Sequence, residues 1–530
     1  MHELKGRHGR LALALATLVA FAGCKSTAPT LPNAIPLPAE ATTAITTPQA
    51  SPAPLPPLFD DLERRSFNYF WELGNPANGL VPDRWPSKSF SSIAAVGFGL
   101  TTYGVGAERG WISRDQAIER TLATLRFFDR APQGPAAEGM TGYKGFFYHF
   151  LKMDTGARDA KCELSTVDTT LLLGGALFAQ SYFDRATPAE TEIRELAERI
   201  YRRVQWDWAQ VRAPRISMGW SPEKGALAYD WHGYNEALLV YILALGSPTH
   251  PVGVDAYQAW TSTYDKNWGT YQGQQHLSFP PLFGHQYSHV WLDLRGVQDD
   301  YMRGRGIDYF ENSRRAVLSQ RAYAIANPQN WEGYGENVWG LTASDGPVDA
   351  TFDYKGEKRL FRTYSARGAG IEYTIDDGTI APTAAAASLP FAPEVVIPAV
   401  TEMHRRYGQH IYQQYGFIDA FNPSFHYDVP LQHGKVVKGM GWMDNDYIGI
   451  DQGPIVLMIE NHRSELVWKV MRKNPHIRRG LERAGFTGGW LVPVGAAYSP
   501  QRGSPSGPAP PFAPALQSQS AAIPTPATAN

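Results

Sequence analysis

The sequence predicts an all-α domain built as a barrel of two concentric helical rings with short strands on its rim. Three observations predict it. Thr170–Phe183 and Ala237–Leu245 are apolar on nearly every face, and a helix with no polar face needs neighbours on all sides. Segments such as Ala189–Gln210 are two-faced, as an outer ring requires. No strand–helix–strand rhythm runs along the chain, which argues against a parallel sheet.

The elements follow in order. Asp60–Leu73 and Ser89–Tyr103 carry helical periodicity. Ser113-Arg-Asp-Gln116 is a capping-box start, followed by Ile118, Leu122, Leu125 and Phe128 on one face. Val167–Phe183 comes next. Thr187-Pro188-Ala189-Glu190 is a second start, with Thr as N-cap and Pro in the first turn. Ile193, Leu196, Ile200 and Val204 then face inward. Asn235–Leu245, Ser313–Ala326, Glu394–Tyr407 and Gly453–Asn474 complete the helices, and Arg359–Thr363 and Gly370–Ile375 read as rim strands.

The two ends differ from this middle. A basic start with Lys5, Arg7 and Arg10 precedes the apolar run Leu11–Gly23, which is too short to span a bilayer and reads as a secretory signal. The run closes on Phe21-Ala22-Gly23-Cys24, so residues 1–23 are expected to be removed and Cys24 to carry a lipid. Phe21 stands where an aliphatic residue is usual, and cleavage after Ala22 is the alternative, giving a soluble periplasmic or secreted protein. Residues 24–57 and 499–530 are rich in Pro, Ala, Thr and Ser and are expected to be a tether and a disordered tail. Residues 58–498 are then one large domain at the cell envelope, facing the periplasm and held to membrane only through the lipid. It is expected to be monomeric. With only Cys24 and Cys162 there is no disulfide framework, and Cys162 reads as a buried small hydrophobe.

Charge narrows the partners. The 49 basic and 51 acidic residues leave a net charge of −2, which makes no electrostatic case for nucleic acid. Aromatic residues make up 12% of the chain, and aromatic faces stack on the apolar face of a pyranose. The connections between helices concentrate Trp, Tyr, Asn, Gly and carboxylates, with Lys and Arg scarce. Such a cleft suits a neutral polyhydroxylated ligand rather than a phosphate. No cofactor is expected.

Seven stretches, in order, carry a more specific signal: Ser165-Thr-Val-Asp168-Thr-Thr-Leu-Leu-Leu; Tyr234-Asn-Glu236-Ala-Leu with Ala244-Leu-Gly-Ser-Pro-Thr-His250-Pro; His285-Gln-Tyr-Ser-His289-Val-Trp; Gly306-Ile-Asp-Tyr-Phe-Glu311-Asn-Ser-Arg314-Arg315; Tyr334-Gly-Glu-Asn-Val-Trp-Gly-Leu-Thr-Ala-Ser-Asp345-Gly; Asp377-Gly-Thr-Ile-Ala-Pro-Thr; and Asp451-Gln-Gly-Pro. In these the chain resembles the bacterial glucoamylase-like family that contains the endo-β-1,2-glucanases. Ala384–Ala387 stands where some Gly would be expected. The resemblance implies an (α/α)6 barrel and hydrolysis of β-1,2-glucan with inversion. An exo-hydrolase or transglycosylase of another linkage, or a non-catalytic glycan-binding lipoprotein, remains the alternative.

Glycoside hydrolysis needs one protonated carboxyl for the leaving oxygen and a second group to activate water. Glu236 opens an apolar helix, where poor solvation raises a carboxyl pKa, and is the expected general acid; the bland alternative is a dipole-serving helix N-terminal Glu. Asp168 and Glu163, entering the other buried helix, are the first choice for the base, although Asp168 is equally a natural N-cap. Asp451 is the next, with Asp444 and Asp446 nearby. Glu223, Glu336, Asp377 and Asp444 are expected to bind sugar hydroxyls, with Tyr234 and Tyr287 beside them. Trp220, Trp231, Trp291 and Trp339 are candidate sugar platforms. His285 and His289 share a helical face, but Gln286 stands where a zinc-hydrolase motif needs Glu, so they are expected to bind substrate or brace the cleft and not to hold metal. Glu311, Arg314 and Arg315 read as a structural ion pair, and Asp83-Arg84 as cleft or brace.

Overall fold

In the computed structural model, residues 54–492 are described. The expected signal, Cys24, most of the tether and the tail lie outside them. Helices dominate, and every strand is two to five residues long. No helix among the described residues is long and apolar enough to cross a membrane.

The inner ring consists of Ile93–Glu108, Thr166–Tyr182, Leu238–Gly246, Phe283–Trp291, Pro382–Ala386 and Gly449–Ser464. Adjacent members pack or bond to one another around a closed circuit. The Ile93 helix packs on the Thr166 and Gly449 helices, and the Thr166 helix on the Leu238 helix. Ser288 Oγ accepts from Leu239 N, Gln286 Nε2 donates to Ala384 O, and Thr383 Oγ1 donates to Asp451 O. Nearly every residue of these helices is buried, as their lack of a polar face requires. Pro57–Leu73, Arg114–Arg130, Pro188–Arg202, Tyr309–Ala326, Pro393–Ile411 and Pro475–Arg483 lie outside them and bury one side each.

Several element boundaries differ from the sequence reading, each for a local reason. Ser89–Tyr103 starts as helix only at Ile93, because Ser91-Ser92 pairs with Phe150-Leu151 and Ser92 Oγ caps Ala95 N. Gly453–Asn474 is broken at Glu465, whose backbone is left-handed (φ 60°). The Phe283 and Pro382 helices are too short to show a period. The capping box at Ser113 and the Thr187 cap form as read.

Two glycines set the spacing of the first two inner helices. A Cβ on Gly97 would run into Leu171 O, and one on Gly175 into Gly97 O. The backbones therefore touch, and nothing flexible lies between them to yield. Gly97→Ala is expected to cost about 3 kcal/mol, as overpacking does at a site that cannot relax. Urea unfolding of the purified variant checks this.

Candidate active site

All six inner helices begin at the same mouth of the ring. This direction decides which side chains meet. Asp168 sits in the first turn of the Thr166 helix and Asp451 in the first turn of the Gly449 helix. Glu236 occupies the turn before Leu238, where Asn235 Oδ1 accepts from Ala237 N and Ser288 Oγ donates to Glu236 O. Tyr287, one turn into the Phe283 helix, stands among them. Its phenol donates to Ile450 O and is pushed well above the usual phenol range by burial, then by Asp451, Tyr364, Glu236 and Asp168.

Glu236 is the unusual carboxyl. Its Oε2 is shut off from solvent and meets no hydrogen-bond donor. Burial raises its pKa to about 7, a backbone hydrogen bond opposes this, and the charge of Asp168 adds to it. A carboxyl in that range is protonated in about half of the molecules at neutral pH.

A short antiparallel sheet supplies the other side of the mouth. Its strands run in the order Gly142–Tyr143, Phe146–Tyr148, Leu164–Ser165, Gly219–Ser221, Gly225–Ala226. His149, just past the second strand, bonds Glu163 Oε1 through Nδ1 at 2.8 Å and lies 3.4 Å from Asp168 Oδ1 through Nε2. Burial works against its charge, but Asp168 and then Glu163 outweigh this and lift it to about 9. The imidazolium in turn holds Glu163 below its ordinary value in spite of burial. Asp168 stays above the ordinary carboxylate range, because its burial outweighs His149 and the bond from Ser165 Oγ. His149 was not among the residues singled out from sequence. A lone histidine between Tyr148 and Phe150 gives no local sign of its partners.

The far side of the mouth holds buried aspartates. Arg84 Nη1 reaches Asp345 Oδ2 at 2.7 Å and Asp446 Oδ2 at 3.4 Å, and Nε lies 3.5 Å from Asp83. Arg84 is thus both brace and cleft residue, and the mouth is less free of cations than its sequence suggested. Asp419 Oδ2 accepts from Asp345 N at 2.6 Å. Asp451 is pushed well above its ordinary range by burial and then by Asp419.

Several residues expected at the site stand elsewhere. His285 and His289 do share a face, but that face packs on the outer Tyr309 helix: Ser313 Oγ bonds His289 Nε2, and His285 Nε2 lies 3.2 Å from Phe279 O. Both are buried and cannot bind sugar. Trp291 plugs the ring, stacking on Phe98 and donating to Thr101 Oγ1, and Trp339 is likewise buried, so neither is a sugar platform. Trp231 donates to Thr166 Oγ1 and Tyr234 stacks on Tyr309; both are core braces. Trp220 alone of the four tryptophans keeps a partly open face, against Tyr143 and Trp208. Glu336 is exposed and paired with Arg321 on an outer helix, and Asp377 is buried against Arg367; neither faces the mouth. Glu223 pairs with the buried Arg158 on the rim, beside the Glu163 loop. Glu311 and Arg315 pair as read, while Arg314 pairs with Glu394. Cys162 is buried and its thiol pushed up to about 12 by burial, which leaves it inert. The half-buried Tyr364 and Tyr373 complete the mouth: beyond burial, Asp451 acts on the first, and Glu372 and then Glu236 on the second. No local pattern marked them.

Replacing His149 by Gln removes the cation between two carboxylates, so their pKa values should rise. The acidic limb of a pH–rate profile is expected to move upward by about one unit. A profile measured with both proteins checks it.

A closed ring of helices that brings carboxylates from separate inner helices to one mouth defines this chain as a helical toroid with an acidic site. Comparison with known proteins places it further. The Glycoamylase family model, described as "Putative glucoamylase", matches residues 228–475. A crystal structure of the same description from Bacteroides uniformis ATCC 8492 is 32% identical with a TM-score of 0.71, over 82% of this chain and 98% of that one. The chain belongs to the glycoamylase family. The endo-β-1,2-glucanase of Chitinophaga pinensis, solved with sophorotriose and glucose, is 28% identical with a TM-score of 0.69, over 82% of this chain and 99% of that one. An exo β-1,2-glucooligosaccharide sophorohydrolase (non-reducing end) of Parabacteroides distasonis is 28% identical over 458 residues, 80% of this chain. This chain spans 57% of that relative's length.

Proposed function

We propose that this protein is a glycoside hydrolase that cleaves β-1,2-linked glucan internally, with inversion, on an (α/α)6 barrel. The observation that carries the reading is Glu236: a solvent-shielded carboxyl with a pKa of about 7, opposite carboxylates on other inner helices. It is the general acid, giving its proton to the glycosidic oxygen as the bond breaks. The water-activating carboxylate is one of two. Asp168 is the one whose charge Glu236 feels, and His149 holds it in place. Asp451, across Tyr287, is the other. Similarity to the Chitinophaga endo-glucanase over 99% of its length supports internal cleavage, and the Parabacteroides sophorohydrolase supports the exo alternative.

Incubation with a panel of β-1,2-, β-1,3-, β-1,4- and α-1,4-glucans tests the substrate. A spread of oligosaccharides from the β-1,2-linked polymer alone is the expected outcome. Release of sophorose only makes the enzyme exo-acting, and cleavage of α-1,4-glucan alone rejects the reading. NMR of the first anomer formed tests inversion: an inverting enzyme yields the α-anomer.

The basic, apolar N-terminus ending at Cys24 supports export to the periplasm and a lipid anchor. Radiolabelled palmitate incorporated into the wild type but not into Cys24→Ser would bear this out; equal labelling, or none, would reject it.

A further inference from the structure

The aspartates at the mouth outnumber their cations. Asp83, Asp345, Asp419, Asp444, Asp446 and Asp451 are all buried. Arg84 contacts Asp83, Asp345 and Asp446, with the His433 ring beside it. Arg367, the other guanidinium that faces this region, is spent on Asp377. Asp345, Asp419 and Asp444 therefore form a subset with a single guanidinium contact, the one on Asp345. One oxygen from each lies within 4.8 Å of one from each of the others.

One of these carboxylates also holds an oxygen with nothing to bond. Asp444 Oδ1 accepts from the Asn445 and Asp446 amides, whereas its Oδ2 is buried and without a partner. Asp419 Oδ2 accepts from Asp345 N, and its carboxyl shares a side-chain hydrogen bond with that of Asp451. A carboxylate oxygen cut off from water and left unbonded is costly unless a cation or a proton meets it. An ion with oxygen ligands at ~2.4 Å spans pairs of oxygens up to ~4.8 Å apart, the ligand distance of calcium. The three side chains come from separate segments held by backbone bonds: Asp419 N donates to Asp446 O and Asp444 N to Ala420 O. The carboxylates are thus already positioned and need no rearrangement to converge.

We propose that Asp345, Asp419 and Asp444 bind a divalent cation of the calcium type, with the remaining positions filled by water. The site does not depend on the hydrolase reading, and its test does not use activity. The full chain is stripped with EDTA, and its unfolding temperature is followed on addition of CaCl2, MgCl2 or NaCl at matched ionic strength. Calcium is expected to raise the midpoint by several degrees, magnesium by less, and sodium not at all. Asp444→Asn keeps the side-chain size and should abolish the response while leaving the circular dichroism unchanged. A second measurement uses the wild type alone: terbium luminescence sensitised by tryptophan should appear at one equivalent and be displaced by calcium. No shift and no luminescence, or an equal calcium shift in Asp444→Asn, overturns the proposal.

Discussion

Glu236→Gln is expected to lower kcat on β-1,2-glucan by about 10³-fold or more while leaving substrate affinity within a few-fold, as removal of a general acid does. The amide fills the same space and still bonds a sugar oxygen, but it has no proton to give. The loss should shrink to a few-fold on an aryl sophoroside with an acidic phenol as leaving group, because such a group departs without protonation. An equal loss on both substrates would instead mark Glu236 as a positioning residue. The wild-type rate should fall as pH rises through about 7, the value to which burial lifts this carboxyl. Stability carries the same signature. A carboxyl whose pKa is raised on folding binds its proton more tightly in the folded state, so its contribution is fully present near pH 4 and is lost between its unfolded value and about 7. At pH 8 the Gln variant should therefore resist urea better than the wild type, and near pH 4 the two should coincide.

Arg367→Met carries the largest expected cost to folding, about 3–5 kcal/mol. Arg367 is fully buried. Its Nε and Nη2 meet Asp377 at 2.7 and 2.8 Å, while Nη1 and Nη2 donate to the carbonyls of Ser344, Asp345, Arg362 and Thr363. Burial works against the Asp377 charge, yet Arg367 holds that carboxyl below its ordinary range. Methionine would leave the carboxylate buried and unpaired and would release four carbonyls. Asp377→Asn added to Arg367→Met should recover part of the loss, since it removes the stranded charge. Chemical denaturation of the wild type, both single variants and the double variant measures the coupling. Arg367 also ties down Asp345 O, so the single variant should loosen the Asp345–Arg84 contact at the mouth.

How much of the site could be read in advance depended on where each residue's partners lie along the chain. Asp168, Glu163 and Glu236 were legible because each enters an apolar helix, and a carboxyl at such a place is either a cap or a group held out of water. The platform role read for Trp291 and Trp339, and the substrate contacts read for His285 and His289, had no such support. An aromatic or imidazole in a cleft-like motif looks the same whether its face meets sugar or a neighbouring helix. Glu336 and Asp377 misled for a similar reason, since their partners Arg321 and Arg367 lie 15 and 10 residues away on other elements.

The sequence by itself determined the helical class, the division into buried and two-faced helices, and the capped starts at Ser113 and Thr187. Each of these follows from residues within a few positions of one another, where periodicity and local hydrogen bonds act. Only the tertiary structure decided that all six inner helices open on one mouth, that His149 stands between Glu163 and Asp168, and that Asp345, Asp419 and Asp444 converge. Those meetings join residues from 14 to several hundred positions apart. They exist only once the ring has closed, because burial and charge act through space and not along the chain.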